Sequence, residues 1–392
     1  MAAPTDPIAP PPPRQKASTP LDPPSTSYDP RPELPTATHY KLGHTLADHS
    51  AGVTSVRFQR EGTLAASASG DRTAKIWDVQ QGKAVHTLTG HTEGLNDIVW
   101  NWNGDTVATA SDDTSVRVWD VRSGKCVRKL QGHSSYIMSC SFSASGEVLA
   151  SAGYDETIRL WCMHTGRLIR SIPAHSDPIF CIDFSADVAK PVLASGSNDG
   201  ICRIWVSHTG ECGRSIIPEA GGGTSGGGTN NGSGSGGAGE HQCVPVTFCK
   251  FTPNNKFLLL GTLNGRLQLW DFEPKKSNTP TPAGIAPVSV KKTYMGHKNT
   301  KYPLQASFMV NEPTGNKYVV SGSEDHHIFM WDLNNRTVAG VLRGRSGPDS
   351  PGDGHCDVVM SVDTNPAEPV MASAGGPRDR TVKIWKYCPT AV

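Results

Sequence analysis

Seven tryptophans, Trp77, Trp119, Trp161, Trp205, Trp270, Trp331 and Trp385, each close a short apolar run such as Ala-Lys-Ile-Trp or Val-Arg-Val-Trp. Four are followed by aspartate, at Asp78, Asp120, Asp271 and Asp332. The first three tryptophans lie 42 residues apart, and His49, His91, His133 and His175 keep the same step. A unit of this length cannot bury its own apolar face and gains a core only by stacking on copies of itself. Length alone, 392 residues, would suggest two or three domains. The repeat replaces that expectation with one all-β ring, a seven-bladed β-propeller over residues 37–390.

Within a repeat the period is two. Val53 to Phe58 reads as the inner strand, Thr63 to Ala68 as the second, Ala74 to Trp77 as the third and Ala84 to Leu88 as the outer. Gly62, Gly70-Asp71-Arg72 and Gln81-Gly82-Lys83 separate them as turns. His39-Tyr40-Lys41-Leu42 precedes the first repeat and is expected to pair with the blade that ends at Trp385, closing the ring and removing two free sheet edges. Residues 1–36 hold twelve of the thirty prolines, which predicts a disordered tail with polyproline II character. Three insertions, at 220–240, 274–290 and 343–354, are rich in Gly, Ser, Thr or Pro and read as loops on the rim.

The net charge of +1 predicts neither nucleic-acid nor membrane affinity, and no apolar stretch is long enough for a helical span. The amino terminus lacks the features of a signal peptide, so a nuclear or cytosolic protein is expected. The sequons at Asn231 and Asn335 then carry no meaning. None of the ten cysteines forms a C-x-x-C pair, and most are expected to be reduced core residues, with no metal site. Gly223-Thr-Ser-Gly-Gly227 matches a nucleophile elbow in letters only, because neither a strand nor a helix flanks it.

Six of the seven repeats set a histidine before the inner strand and an aspartate in the turn before the tryptophan strand. The pairs are His49/Asp71, His91/Asp113, His133/Asp155, His175/Asp199, His297/Asp325 and His355/Asp379. A catalytic dyad has no reason to occur six times, so the pairs are read as structural, with His91, Asp113 and Trp119, and His133, Asp155 and Trp161, as examples. The fifth repeat has Gln242 and Asn264 at these places and should be tied least well. Function is then expected on the faces of the ring. Gly70, Asp112, Tyr154, Asn198, Leu263, Glu324 and Arg378 precede the turn aspartates. Thr54, Asn96, Met138, Phe180, Thr247 and Gln305 begin the inner strands. Together they predict a channel mouth of mixed acid, amide and aromatic character, suited to a peptide bearing a cation.

The segment Gly90-His91 to Trp119-Asp120 resembles the WD40 family. Pro173-Ala-His-Ser-Asp-Pro178, Gly200-Ile-Cys-Arg-Ile-Trp205, Thr293-Tyr-Met-Gly-His-Lys-Asn299 and Val319-Val-Ser-Gly-Ser-Glu-Asp325 are similar to the WD-repeat subunit of COMPASS-type histone lysine methyltransferase complexes. That resemblance spans about residues 38–388 and implies a nuclear scaffold without cofactor. Its implied partners are a SET-domain methyltransferase, other core subunits and a histone tail, with the chain a monomer inside the complex. It also implies an arginine pocket at the mouth between two phenylalanines, whose places Met138 and Gln305 take here. Phe180 stands for a small residue and Pro303 for a cysteine, while Asp112, Tyr302 and Phe248 keep the family's types. Each ring face lost removes about 0.5–2 kcal/mol of cation–π attraction, so weak arginine binding is expected. A second implied surface, a partner groove on blades five and six, comprises Asn254, Phe257, Leu269, Val310 and Asn334. The alternative is an adaptor of another kind, a ubiquitin-ligase substrate receptor or an RNA-processing scaffold.

Overall fold

A computed structural model describes residues 35, 39–218, 243–272, 289–311, 315–345 and 352–388. Gln242, nearly all of the proline-rich tail and the greater part of the three insertions lie outside these residues. The described chain forms seven four-stranded antiparallel sheets. Six are built from consecutive strands, over residues 53–88, 95–131, 137–173, 179–216, 246–295 and 306–342 (blades 1 to 6). The chain is a seven-bladed β-propeller.

Blade 7 takes Val359–Thr364, Val370–Gly375 and Val382–Tyr387 from the carboxyl end and Tyr40–Leu46 from the amino end. Tyr40 pairs with Tyr387, Leu42 with Trp385 and Leu46 with Val382. The closing strand is thus the one expected from sequence, extended through Leu46. Tyr40 is buried in a cluster with Met309, Val320, Met371 and Trp385, and its hydroxyl donates to the Met309 sulfur at 3.2 Å. One correction concerns the second insertion: Ser289 and Val290, expected in the loop, already belong to the outer strand Ser289–Met295.

The inner strands face the channel and have no neighbour on that side within their own sheet, so their outward amides need partners from elsewhere. Side chains of the preceding blade supply them. Asp363 accepts from the Phe58 amide at 2.9 Å and Asp183 from Phe251 at 2.8 Å. Ser361, Ser139 and Ser141 do the same for Val56, Ile182 and Phe184. Short polar residues on the inner strands therefore link one blade to the next around the ring. Among the cysteines, Cys140, Cys181, Cys202, Cys249 and Cys356 are buried, whereas Cys126, Cys212 and Cys243 are exposed and none is bonded to another. Half of the ten, rather than most, are core residues.

Removing the Tyr40 ring should open the ring closure itself. Tyr40→Ala is expected to cost about 3 kcal/mol, the usual range for deleting a buried aromatic, as read from urea unfolding midpoints. A change below about 0.5 kcal/mol would show that the amino-terminal strand is dispensable.

Candidate functional site

The turn before each tryptophan strand has a fixed backbone. The residue after the aspartate position is left-handed in all seven blades: Arg72, Thr114, Glu156, Gly200, Gly265, His326 and Arg380, with φ between 58° and 77°. For β-branched Thr114 this costs energy that the surroundings must supply. The aspartate does so with one oxygen, which accepts from Thr73 at 2.9 Å in blade 1 and from Ser115 at 3.0 Å in blade 2. Its other oxygen accepts from the histidine Nδ1, at 2.8 Å for His49, 2.7 Å for His91, 2.8 Å for His133 and 2.9 Å for His175. His355 Nδ1 lies 3.2 Å from Asp379.

The histidine Nε2 then meets a hydroxyl, that of Ser67, Thr109, Ser151, Ser195 or Ser373, at 2.6–2.8 Å. The same hydroxyl accepts the tryptophan Nε1–H at 2.8–2.9 Å. A nitrogen facing a carboxylate carries a proton, so the aspartate orients the ring with Nδ1–H toward itself and Nε2 toward the hydroxyl. Burial alone would raise the carboxyls of Asp71, Asp113 and Asp379, but the bonds from their histidines hold all three far below the usual carboxylate range. The fourth member was missed from sequence, although a serine or threonine stands ten residues before Trp77, Trp119, Trp161 and Trp205.

Blades 5 and 6 depart from this arrangement. In blade 5, Trp270 Nε1 donates to Gln268 on its own strand at 3.3 Å, and Leu260 stands at the hydroxyl position. In blade 6 the expected His297/Asp325 pair does not form. His297 is buried and both of its ring nitrogens lack a hydrogen-bond partner. The reason is local: Phe329 occupies the strand position held elsewhere by a lysine, arginine or glutamine, and stacks on Trp331 at 5.6 Å. The indole points away and donates to the Met295 carbonyl at 2.9 Å, while His297 packs edge-on against Trp331 at 5.3 Å. Burial pushes the His297 ionisation down to about 4.

At the channel mouth, five of the residues expected to point there share one device. Thr54, Asn96, Met138, Phe180 and Thr247 each sit where the inner-strand register slips by one residue. Such a bulge re-aims the side chain. Met360 occupies the same place in blade 7 and was not anticipated. Asn96 donates to Asp112 at 2.7 Å and to the Ile137 carbonyl at 2.8 Å. Tyr136, Tyr154 and Phe180 form a row of edge-to-face rings at 5.7 and 6.4 Å. Gly153 permits this approach, because a Cβ there would collide with the Tyr136 carbonyl. Glu324 accepts from the amides of Thr300, Lys301 and Tyr302 and so fixes the loop that carries Tyr302.

Two of the expected mouth residues face elsewhere. The Gln305 side-chain oxygen accepts from Ser361 at 2.7 Å and Ser55 at 3.1 Å, which turns it into the channel wall. Phe248 is only 3% exposed and presents no ring face to a ligand. The Tyr136–Tyr154–Phe180 row follows Asp112 in the next two blades, whereas neither Gln305 nor buried Phe248 offers a ring face from blades 5 and 6.

On blades 5 and 6, Val310 is 46% exposed, Asn254 and Asn334 are exposed and Phe257 is half-buried. Asn254 also holds its own turn, accepting from Thr252 at 2.7 Å and Lys256 at 3.1 Å. Leu269 is 4% exposed, so it offers a partner almost no surface. Its cross-strand neighbour Lys292 donates to the Leu333 carbonyl at 2.6 Å, beside Asn334. Among the described residues no group of His, Cys, Asp or Glu is placed to hold a metal ion.

The WD domain, G-beta repeat family matches residues 40–78, 82–120, 124–162, 166–206, 239–271, 289–332 and 351–386. The chain belongs to the WD40 repeat family, whose propellers serve as platforms for other proteins. It is 26% identical over 141 residues to an Arabidopsis thaliana WD repeat-containing protein, WDS homolog, a match covering 36% of this chain and 22% of that one. It is 28% identical over 142 residues to Rattus norvegicus WD repeat domain-containing protein 83, covering 36% of each. It is 33% identical over 97 residues to Homo sapiens DDB1- and CUL4-associated factor 6, covering 24% of this chain and 9% of that one. The chain thus spans well under half of each relative.

His297 gives blade 6 a pH dependence of known sign. The buried ring ionises at about 4, against 6.5 for an ordinary histidine, so the unfolded chain takes the proton first as pH falls. Stability should decline between those two values, and this contribution should amount to about 3 kcal/mol in all. His297→Leu should lose that component when urea unfolding is compared at pH 7 and pH 4.5. An unchanged pH dependence in the variant would remove His297 from the account.

Proposed function

We propose that this chain is a non-catalytic scaffold subunit of a COMPASS-type histone lysine methyltransferase complex, working in the nucleus. It would hold a SET-domain methyltransferase against the other core subunits and bind no cofactor and no nucleic acid. The observation that carries this reading is the set Asn254, Phe257, Val310 and Asn334 on blades 5 and 6. Its types match the family's partner groove, and here three of the four side chains are exposed. An apolar residue rimmed by amides suits an extended peptide, with the amides fixing register and Val310 supplying the buried area. The mouth supports the reading less directly. With Gln305 turned inward and Phe248 buried, the arginine contact would rest on Asp112 and the aromatic row.

A second reading is an adaptor of a ubiquitin ligase. It is favoured by the 33% identity with a relative whose name states association with DDB1 and CUL4. The two readings separate on purification from nuclear extract, where one predicts a SET-domain methyltransferase and the other a cullin assembly.

Val310→Asp tests the surface without disturbing the core. Affinity for the peptide-bearing core subunit should fall at least tenfold, about 1.4 kcal/mol, with the melting temperature unchanged. Equal binding by the variant would refute the groove. Leu269 is unsuitable for this purpose, since its removal would destabilise the blade by about 2–5 kcal/mol.

A further inference from the structure

The near-neutral chain, with 37 lysines and arginines against 36 acids, hides a strong local asymmetry. The third and outer strands of blades 2, 3 and 4, with the turns between them, cover residues 115–131, 157–173 and 202–216. They carry ten lysines and arginines but only two acids, Asp120 and Glu211. The corresponding hairpin of blade 6, residues 328–342, has one cation and one acid. The charges are far apart in sequence and come together only because consecutive blades stack. Blade 3 lies at the centre and has no acid in its hairpin, since Cys162 stands where four of the other blades have an aspartate after the tryptophan.

The outer strand of blade 3, Leu168–Pro173, is the edge of its sheet. Leu168 and Ile169 are 42% and 53% exposed, and Arg167 and Arg170 beside them are exposed as well. The neighbouring blade 2 edge adds exposed Lys125 and Lys129. An open strand edge offers main-chain pairing, exposed aliphatic side chains offer apolar area, and the cations select the charge of whatever pairs. We propose that the outer edge of blade 3 docks an extended acidic peptide of a partner protein as an added fifth strand. Nucleic acid fits less well, because single strands need exposed rings for stacking and this outer strand carries only aliphatic groups. The surface is separate from the groove of blades 5 and 6 and goes beyond the scaffold reading.

The probe is a fluorescein-labelled octapeptide, Asp-Val-Glu-Val-Asp-Val-Glu-Val, followed by anisotropy with the full chain. Binding is expected, weakening about tenfold between 50 and 200 mM salt, since exposed charges are screened over about 10 Å. Arg167→Glu with Arg170→Glu should weaken it at least tenfold while leaving the melting temperature and the Val310-dependent interaction unchanged. The same octapeptide N-methylated at alternate residues should also bind at least tenfold more weakly. No binding would mean that the basic edge only guards against aggregation. Equal binding of the methylated probe would overturn strand addition, and tighter binding of a twelve-nucleotide oligothymidine would overturn the peptide reading.

Discussion

The carboxylate in the turn before the tryptophan strand, paired with its histidine in five of the seven blades, is the constraint on which the fold depends. One oxygen stabilises a left-handed residue that most side chains avoid, as with Asp113 beneath Thr114. The other orients a histidine so that its far nitrogen meets a hydroxyl, which in turn receives the indole of the tryptophan. Turn, preceding loop, second strand and third strand are thereby joined by buried hydrogen bonds, and each of these polar groups would be costly if left alone. The inner strands add a second set of ties, from serine and aspartate side chains to the amides of the next blade. Order within a blade and order around the ring come from different residues.

Blades 5 and 6 lack the first set. Trp270 bonds only within its own strand, and Trp331 has exchanged its hydroxyl for a carbonyl while His297 lies without a partner. The proposed partner surface, with exposed Val310, Asn254 and Asn334, belongs to these same two blades. Less internal bonding leaves them better able to adjust on binding, in line with the general placement of recognition in the less stable parts of a fold. Five blades thus lock the ring, and the proposed partner surface lies on the two that are not locked.

Much of the ring was legible in the sequence, because a propeller repeats its instructions. The tryptophan and histidine spacing predicted seven blades, and the isolated His39 to Leu42 run predicted the closing strand. The five bulge residues at the mouth were placed correctly on the inner strands, although only backbone register shows why Thr54 or Phe180 points where it does. What periodicity could not reveal was deviation within a matching pattern. His297 and Asp325 stand at the right positions, yet the bulk of Phe329, two residues from the tryptophan, decides that the pair does not form. Gln305 is likewise oriented by Ser55 and Ser361, which lie 250 and 56 residues away. Leu269 entered the groove through the resemblance, which carries residue types from one sequence to another but not the burial that leaves this side chain 4% exposed.

The most direct test of this account is native-state hydrogen exchange resolved by blade, with and without the partner subunit. Amides of the tryptophan strands in blades 1 to 4 and 7 should exchange only through global unfolding. Those of Arg266–Asp271 and Ile328–Asp332 should exchange faster, and slow selectively when the partner binds. Uniform protection of all seven blades, or protection by the partner anywhere but blades 5 and 6, would contradict it.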